Sequence, residues 1–165
     1  MHDEIINEIL GDRVFNTGVD LGCGSGTAAL RDHCNTIIGV DHNRGRLNVA
    51  YNARGYDEVI ESDVAGYEVP PGVDAVFALE VIEHLPKQEG YYLVQGLSHV
   101  PYIMFTTPNR FIPVALENGH KSLWSEEDFQ ELGFTTTLHS RSLLYTIVYH
   151  RCIVAIIDRQ PSPVF

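Results

Sequence analysis

The stretch TGVDLGCGSGTAAL, Thr17 to Leu30, carries the reading of the whole chain. A run with strand character ends on Asp20. Three glycines, Gly22, Gly24 and Gly26, then alternate ahead of a segment compatible with a helix. Glycine lets a backbone turn sharply and approach a bound group without Cβ clashes. In an open parallel sheet, ligands sit outside the carboxyl ends of the strands, near the point where strand order reverses. A second strand candidate ends on Asp41, 21 residues beyond Asp20. A carboxylate there faces the same crevice and can accept hydrogen bonds from a ribose diol.

Two cofactor classes use such a turn. A dinucleotide site asks for GxGxxG, and alignment from Gly22 puts Thr27 at the last glycine position. Asp20, directly ahead of the turn, would also repel a pyrophosphate. The order found is DxGxGxG, acid first, which suits a cationic ligand with an amino-acid end, such as a sulfonium nucleoside. Each carboxylate alone reads equally well as a turn anchor or a solvated strand end. Their placement at successive strand ends is what points to a site.

Outward from the turn, β-rich apolar runs alternate with helix-compatible segments. Strands are predicted over 17–22, 36–41, 59–63, 74–80, 102–107, 135–139 and 152–158. Helices are predicted over 3–10, 28–34, 44–53, 87–99 and 125–132, the last with Ser125 as N-cap, Asp128 as its capping-box partner and Gly133 as stop. Alternation of this kind implies crossover connections and a mostly parallel sheet covered on both faces. AVFAL and IMF are continuously apolar, as burial on two sides requires. Two strand runs follow the last helix with only 140–151 between them, so an antiparallel final pair is expected. The expectation is a single α/β domain over 1–165, with a seven-stranded sheet flanked by helices.

Composition sets the outer limits. No run of 18 apolar residues appears, so no spanning helix is expected. The start, MHDEIINEIL, is acidic and amphipathic, unlike a signal peptide, and a cytoplasmic location is expected. A net charge of −11 disfavours a broad basic surface for nucleic acid, although a small basic patch remains compatible with it. Cys23, Cys34 and Cys152 lack the CxxC spacing of a zinc or redox site and read as free thiols.

With these residues in place, the chain resembles a class I S-adenosylmethionine (SAM)-dependent methyltransferase over nearly its full length, a Rossmann-like fold. VDLGCGSG resembles that family's first motif, which implies Asp20, Gly22, Gly24 and Gly26 around the methionine part of SAM. IIGVDHN resembles the second, placing Asp41 on the ribose hydroxyls and His42 beside the adenine. ESDVA resembles the third, with Asp63 on the adenine amino group and Val64 offering a backbone contact. VDAVFALEVIEHLP resembles the fourth, whose strand end, at Glu80, lies under the reactive methyl. TTPNR, Trp124 to Phe129 and LGF are similar to the tail of the small-molecule branch that includes ubiquinone-pathway O-methyltransferases.

Methyl transfer from a sulfonium is an in-line displacement in which the leaving group departs neutral. The protein must chiefly hold nucleophile and methyl close and collinear, away from water. A base helps where the acceptor must lose a proton. Glu83 and His84 are the catalytic candidates, and Glu80 with Glu83 or His84 would share one face of a helical turn. With His120 of GHKSLW, the set Glu80, Glu83, His84 and His120 suits a magnesium or manganese ion. That set resembles the metal site of the small-RNA 3′-terminal 2′-O-methyltransferases. In other members of the fold the glutamates cap a turn and the histidine lines the pocket. No N/D-P-P-Y/F follows the fourth strand, so the family signature for methylating amide or base nitrogen is missing.

Segments 107–120 and 140–151 are the material available for a lid, and Phe111, Trp124 and Tyr145 could line an apolar pocket, although single aromatics more often belong to a core. The reading is methyl transfer to a small or medium-sized acceptor at oxygen, with no membrane partner. Its alternatives are a metal-assisted RNA 2′-O-methyltransferase and a non-catalytic SAM-binding subunit of a complex with a protein partner. A nicotinamide-dependent oxidoreductase ranks last because of Thr27.

Overall fold

Seven strands form one sheet in a computed structural model that describes residues 2–108, 119–142 and 149–159. They are β1 (Phe15–Leu21), β2 (Cys34–Asp41), β3 (Glu58–Glu61), β4 (Ala75–Leu79), β5 (Tyr102–Pro108), β6 (Thr135–Ser142) and β7 (Tyr149–Asp158). Their order is β3-β2-β1-β4-β5-β7-β6. The first five pair in parallel, and β7 runs antiparallel to both β5 and β6. Strand order therefore reverses between β1 and β4. The expected antiparallel end is present, with β7 inserted between β5 and β6.

The continuous apolar runs divide by the two-residue period of a strand. Ala75 and Phe77 of β4, Tyr102 and Met104 of β5, and Val154 of β7 face one core. Val76 and Ala78, Ile103 and Phe105, and Ile153 and Ala155 face the other. The first face is covered by α1 (His2–Leu10), α2 (Ala28–Asp32) and α3 (Arg44–Arg54), which contribute Ile5, Ile6, Leu10, Leu30, Leu47 and Ala50. The second lies under α4 (Lys87–Gly96), α5 (Glu126–Glu131) and a 3-10 turn at Ile82–His84, through Leu93, Val94, Phe129 and Ile82, together with Trp124 just ahead of α5.

Several boundaries shift for local reasons. Cys34 was placed by spacing at the end of a helix but opens β2, because Phe15 pairs with it in parallel and bonds the His33 carbonyl. The helix predicted to reach His99 stops at Gly96; His99 instead sits by the Val69 carbonyl, with Nε2 at 3.1 Å from it. Asp74 lies outside β4, and its carboxylate accepts from the Thr17 amide at 2.8 Å. Glu80 leaves the strand with φ 57°, the one left-handed non-glycine residue among those described. The crossover between β3 and β4 carries no helix.

Ser125 behaves as its sequence context requires. Its hydroxyl accepts from the Asp128 amide at 3.3 Å, and the Asp128 carboxylate accepts from the Ser125 amide at 2.7 Å. Trp124 is core, 1 % exposed, rather than pocket lining. Phe111, Tyr145, Asn109 and the segments 109–118 and 143–148 lie outside the described residues.

Candidate active site

The glycine turn is assembled by the carboxyl end of β2. The amides of Gly22 and Cys23 both donate to the Val40 carbonyl, at 2.7 and 3.0 Å, and the Gly26 amide closes the turn onto Cys23 O at 2.8 Å. Gly22, Gly24 and Gly26 all take positive φ, 67°, 54° and 82°. At Gly22 space is also limiting, since a Cβ would stand 2.6 Å from Cγ2 of Val81. Side chains are thus excluded both by backbone conformation and by the turn that follows β4.

Asp20 and Asp41 converge here, 1 % and 5 % exposed. Asp41 fixes the turn: Oδ2 accepts from the Gly24 amide at 2.9 Å and Oδ1 from the Asn43 amide at 2.7 Å. Each carboxylate oxygen keeps a second lone pair for a ligand. Burial raises the Asp20 carboxyl to about 7; the neighbouring Asp41 charge adds to this, while a hydrogen bond from Tyr56 opposes it. His42 is largely exposed, with Nδ1 3.7 Å from Asp41 Oδ1. Asp63 accepts from the Ala65 amide at 2.9 Å, which orders the turn beyond β3. Cys23 is buried, and burial with the charges of Asp20 and Asp41 pushes its thiol well above the usual range, so it carries no thiolate.

Gly22, Asp41, His42, Asp63 and Val64 line a crevice of about 380 Å³, while the buried Asp20 is not among its lining residues. Glu80, Val81, His84 and Lys121 complete it. It opens at the strand-order reversal, where α/β sheets place ligands. Arg46, also on its wall, reaches within 3.8 Å of a Cβ position on Gly24.

The Glu80–His84 segment is not one helical face. Glu80 ends the strand, bonded through its amide to Thr106 O and Oγ1, and only 82–84 form a single 3-10 turn. The chain at 119–124 is stitched onto that turn: Lys121 and Ser122 amides donate to Glu83 O, and Ser122 Oγ to Ile82 O. This brings His120 edge-on to His84, ring centroids 4.8 Å apart. Glu83, His84 and His120 offer ligand atoms all within 4.8 Å of one another. Glu83 is 2 % exposed; Oε2 accepts from the Thr107 hydroxyl at 3.2 Å, and Oε1 has no hydrogen-bond partner among the described residues. Burial, then the charge of Glu80, raises the Glu83 carboxyl to about 8. His120 is lowered by burial and by His84, against the pull of Glu80.

Residues 19–93 match the family model of the methyltransferase domain. The match spans 75 of the 165 residues and makes that stretch similar to methyltransferase domains. Solved structures share its fold. The N-methyltransferase NodS from Bradyrhizobium japonicum WM9, in complex with S-adenosyl-L-homocysteine (SAH), superposes with a TM-score of 0.73 at 14% identity, over 94% of this chain and 83% of that one. Magnesium protoporphyrin IX methyltransferase from Synechocystis PCC 6803 with bound SAM gives 0.65 at 17% identity, over 95% and 80%. The small RNA methyltransferase HEN1 gives 0.69 at 20% identity, over 98% of this chain and 25% of that one. No curated protein sequence matches the chain. Two of these neighbours hold SAM or SAH in their own structures.

Residue spacing alone did not point to Tyr56, Arg46, Thr107 and Lys121. Only Tyr56 left a trace in sequence: an aromatic directly after a glycine that ends a helix. The Glu83–His84–His120 set has donor chemistry suited to a hard or borderline divalent ion, and the orphaned Oε1 is an acceptor such an ion would satisfy. Glu80, the fourth member of the expected set, lies outside that group of three; its charge acts on both Glu83 and His120.

Proposed function

We propose that the methyltransferase moves the SAM methyl group to an oxygen atom of a small or medium-sized acceptor. One observation carries this: the glycine turn, the Asp41 strand end and the Glu80–His84 segment meet in a single crevice. In this reading Asp20 and the three glycines surround the methionine end, and Asp41 takes the ribose hydroxyls. His42, Asp63 and Val64 flank the adenine, and Glu80 lies beside the sulfonium. As the acceptor oxygen forms its bond to the methyl carbon, the carbon–sulfur bond breaks and SAH leaves neutral. The acceptor proton passes to Glu83 or His84. A carboxyl raised to about 8 is well matched to that role near neutral pH. Acidic walls at Asp41, Asp63 and Glu80 suit a cationic cofactor.

A second reading, metal-assisted transfer to an RNA 3′ end, is favoured by the Glu83–His84–His120 set. Magnesium or manganese held there would polarise acceptor oxygens and favour the alkoxide. The test is transfer of labelled methyl to hydroxyl-bearing small molecules and to RNA 3′ ends, with manganese and with EDTA. Metal-independent methylation of a small hydroxyl acceptor, retained in His120→Ala, supports the first reading. RNA methylation that needs manganese and falls at least 100-fold in His120→Ala replaces it with the second. SAM binding without transfer to any acceptor would mark the chain as a cofactor-binding subunit.

A further inference from the structure

Tyr56 stands just past α3, where Gly55 in the left-handed region closes the helix and turns the chain inward. Its ring is 2 % exposed and backs the glycine turn: a Cβ on Gly26 would stand 3.0 Å from Cε2, and one on Gly39 2.8 Å from Cδ1. The hydroxyl is engaged twice. It donates to Asp20 Oδ2 at 2.6 Å and accepts from the Thr27 amide at 2.9 Å. Asp20 precedes the turn and Thr27 follows it, so one oxygen atom ties both flanks to the same point.

We propose that Tyr56 is a positioning residue for cofactor binding, holding the Asp20 carboxylate and the Thr27 amide in the arrangement that receives the cationic methionine end of SAM. This rests on the cofactor placement proposed above. A buried carboxylate needs a donor to stay ionised, and the Tyr56 hydroxyl supplies it. The titratable groups acting with Asp20 are Asp41 at the end of β2, Cys34 at its start, Cys23 in the turn and Tyr56 itself. Asp41 opposes ionisation of Asp20, and both thiols are pushed up toward the neutral form. Tyr56 is therefore the group among these that favours the charge SAM requires.

Calorimetric titration of SAM into the whole protein from pH 6 to 9 tests this. Wild-type affinity, corrected for titration of the ligand's own amino group, should rise as Asp20 loses its proton near 7. Tyr56→Phe keeps the ring and removes the hydroxyl. It should bind about tenfold more weakly at pH 7, the net worth of one hydrogen bond to a charged group, and its midpoint should move to higher pH. Asp20→Asn sets the baseline, including any titration of the ligand; adding Tyr56→Phe to it should move no midpoint. A wild-type affinity and midpoint in Tyr56→Phe overturn the proposal, and so does weaker binding with an unmoved midpoint, the mark of a merely structural role. If Tyr56→Phe does not fold, the rise in affinity near pH 7 must still be lost in Asp20→Asn, or the proposal fails. Absence of SAM binding by the wild type overturns the cofactor placement itself.

Discussion

In the proposed cofactor placement, Asp20 trades stability for binding. Buried beside Asp41, its carboxyl titrates near 7 instead of near 4. A carboxyl raised on folding binds more protons in the native state than in the unfolded one. Stability therefore falls as pH rises from about 4 towards 7 and stays reduced above that range. Asp20→Asn should remove this loss, flattening the pH dependence of unfolding between pH 5 and 7 by up to about 1.4 kcal/mol per pH unit. Urea denaturation of the free protein at pH 5, 6 and 7 measures it; parallel wild-type and mutant profiles would contradict the assignment. Asp20, Asp41, Asp63 and Glu80 were legible because each lies at or within two residues of the carboxyl end of a strand. Tyr56 was not, since its partners, Asp20 and Thr27, are 36 and 29 residues away.

Elements were readable where the signal is local. The α5 cap depends on two side chains three residues apart, and both bonds of the capping box formed. Ser125→Ala should cost about 1 kcal/mol, seen as a lower urea midpoint with an unchanged slope. Asp128 does double duty: although burial pushes its carboxyl up, hydrogen bonds from Lys87 and Ser125 hold it below the usual range. The same lysine lies 4.1 Å from the Trp124 ring centroid, tying α4 to the strap that carries His120. No local pattern encodes that link. Gly90 shows the same dependence, because a Cβ there would run into the Trp124 ring. Its spacing in LPKQEGYY suggests only a poor helix residue.

For the molecule as a whole, the crevice is preformed, so ligand binding should stabilise the fold by mass action. SAH at 100 times its dissociation constant adds about 2.7 kcal/mol. For a chain of 165 residues that is a rise in Tm of about 5–10 °C. NAD should give no shift, and Asp41→Ala should abolish the SAH shift. A shift with NAD instead of SAH, read by calorimetry or dye melting, would return the glycine turn to the dinucleotide class.

From sequence alone, the chain determined its sheet class, its glycine turn and the strand-end acids, because strand period, glycine spacing and chain order are local properties. It also pointed to the antiparallel tail, since two strand runs follow the last predicted helix with no helix signal between them. Tertiary structure alone decided which side chains meet. His120 reaches His84 only because the Ile82–His84 turn accepts the amides and hydroxyl of 121–122. Glu83 is buried, with one oxygen unpartnered among the described residues, because that strap and Thr107 of β5 close over it. Burial and long-range hydrogen bonds set the charge states of these groups, and neither is visible until distant segments pack.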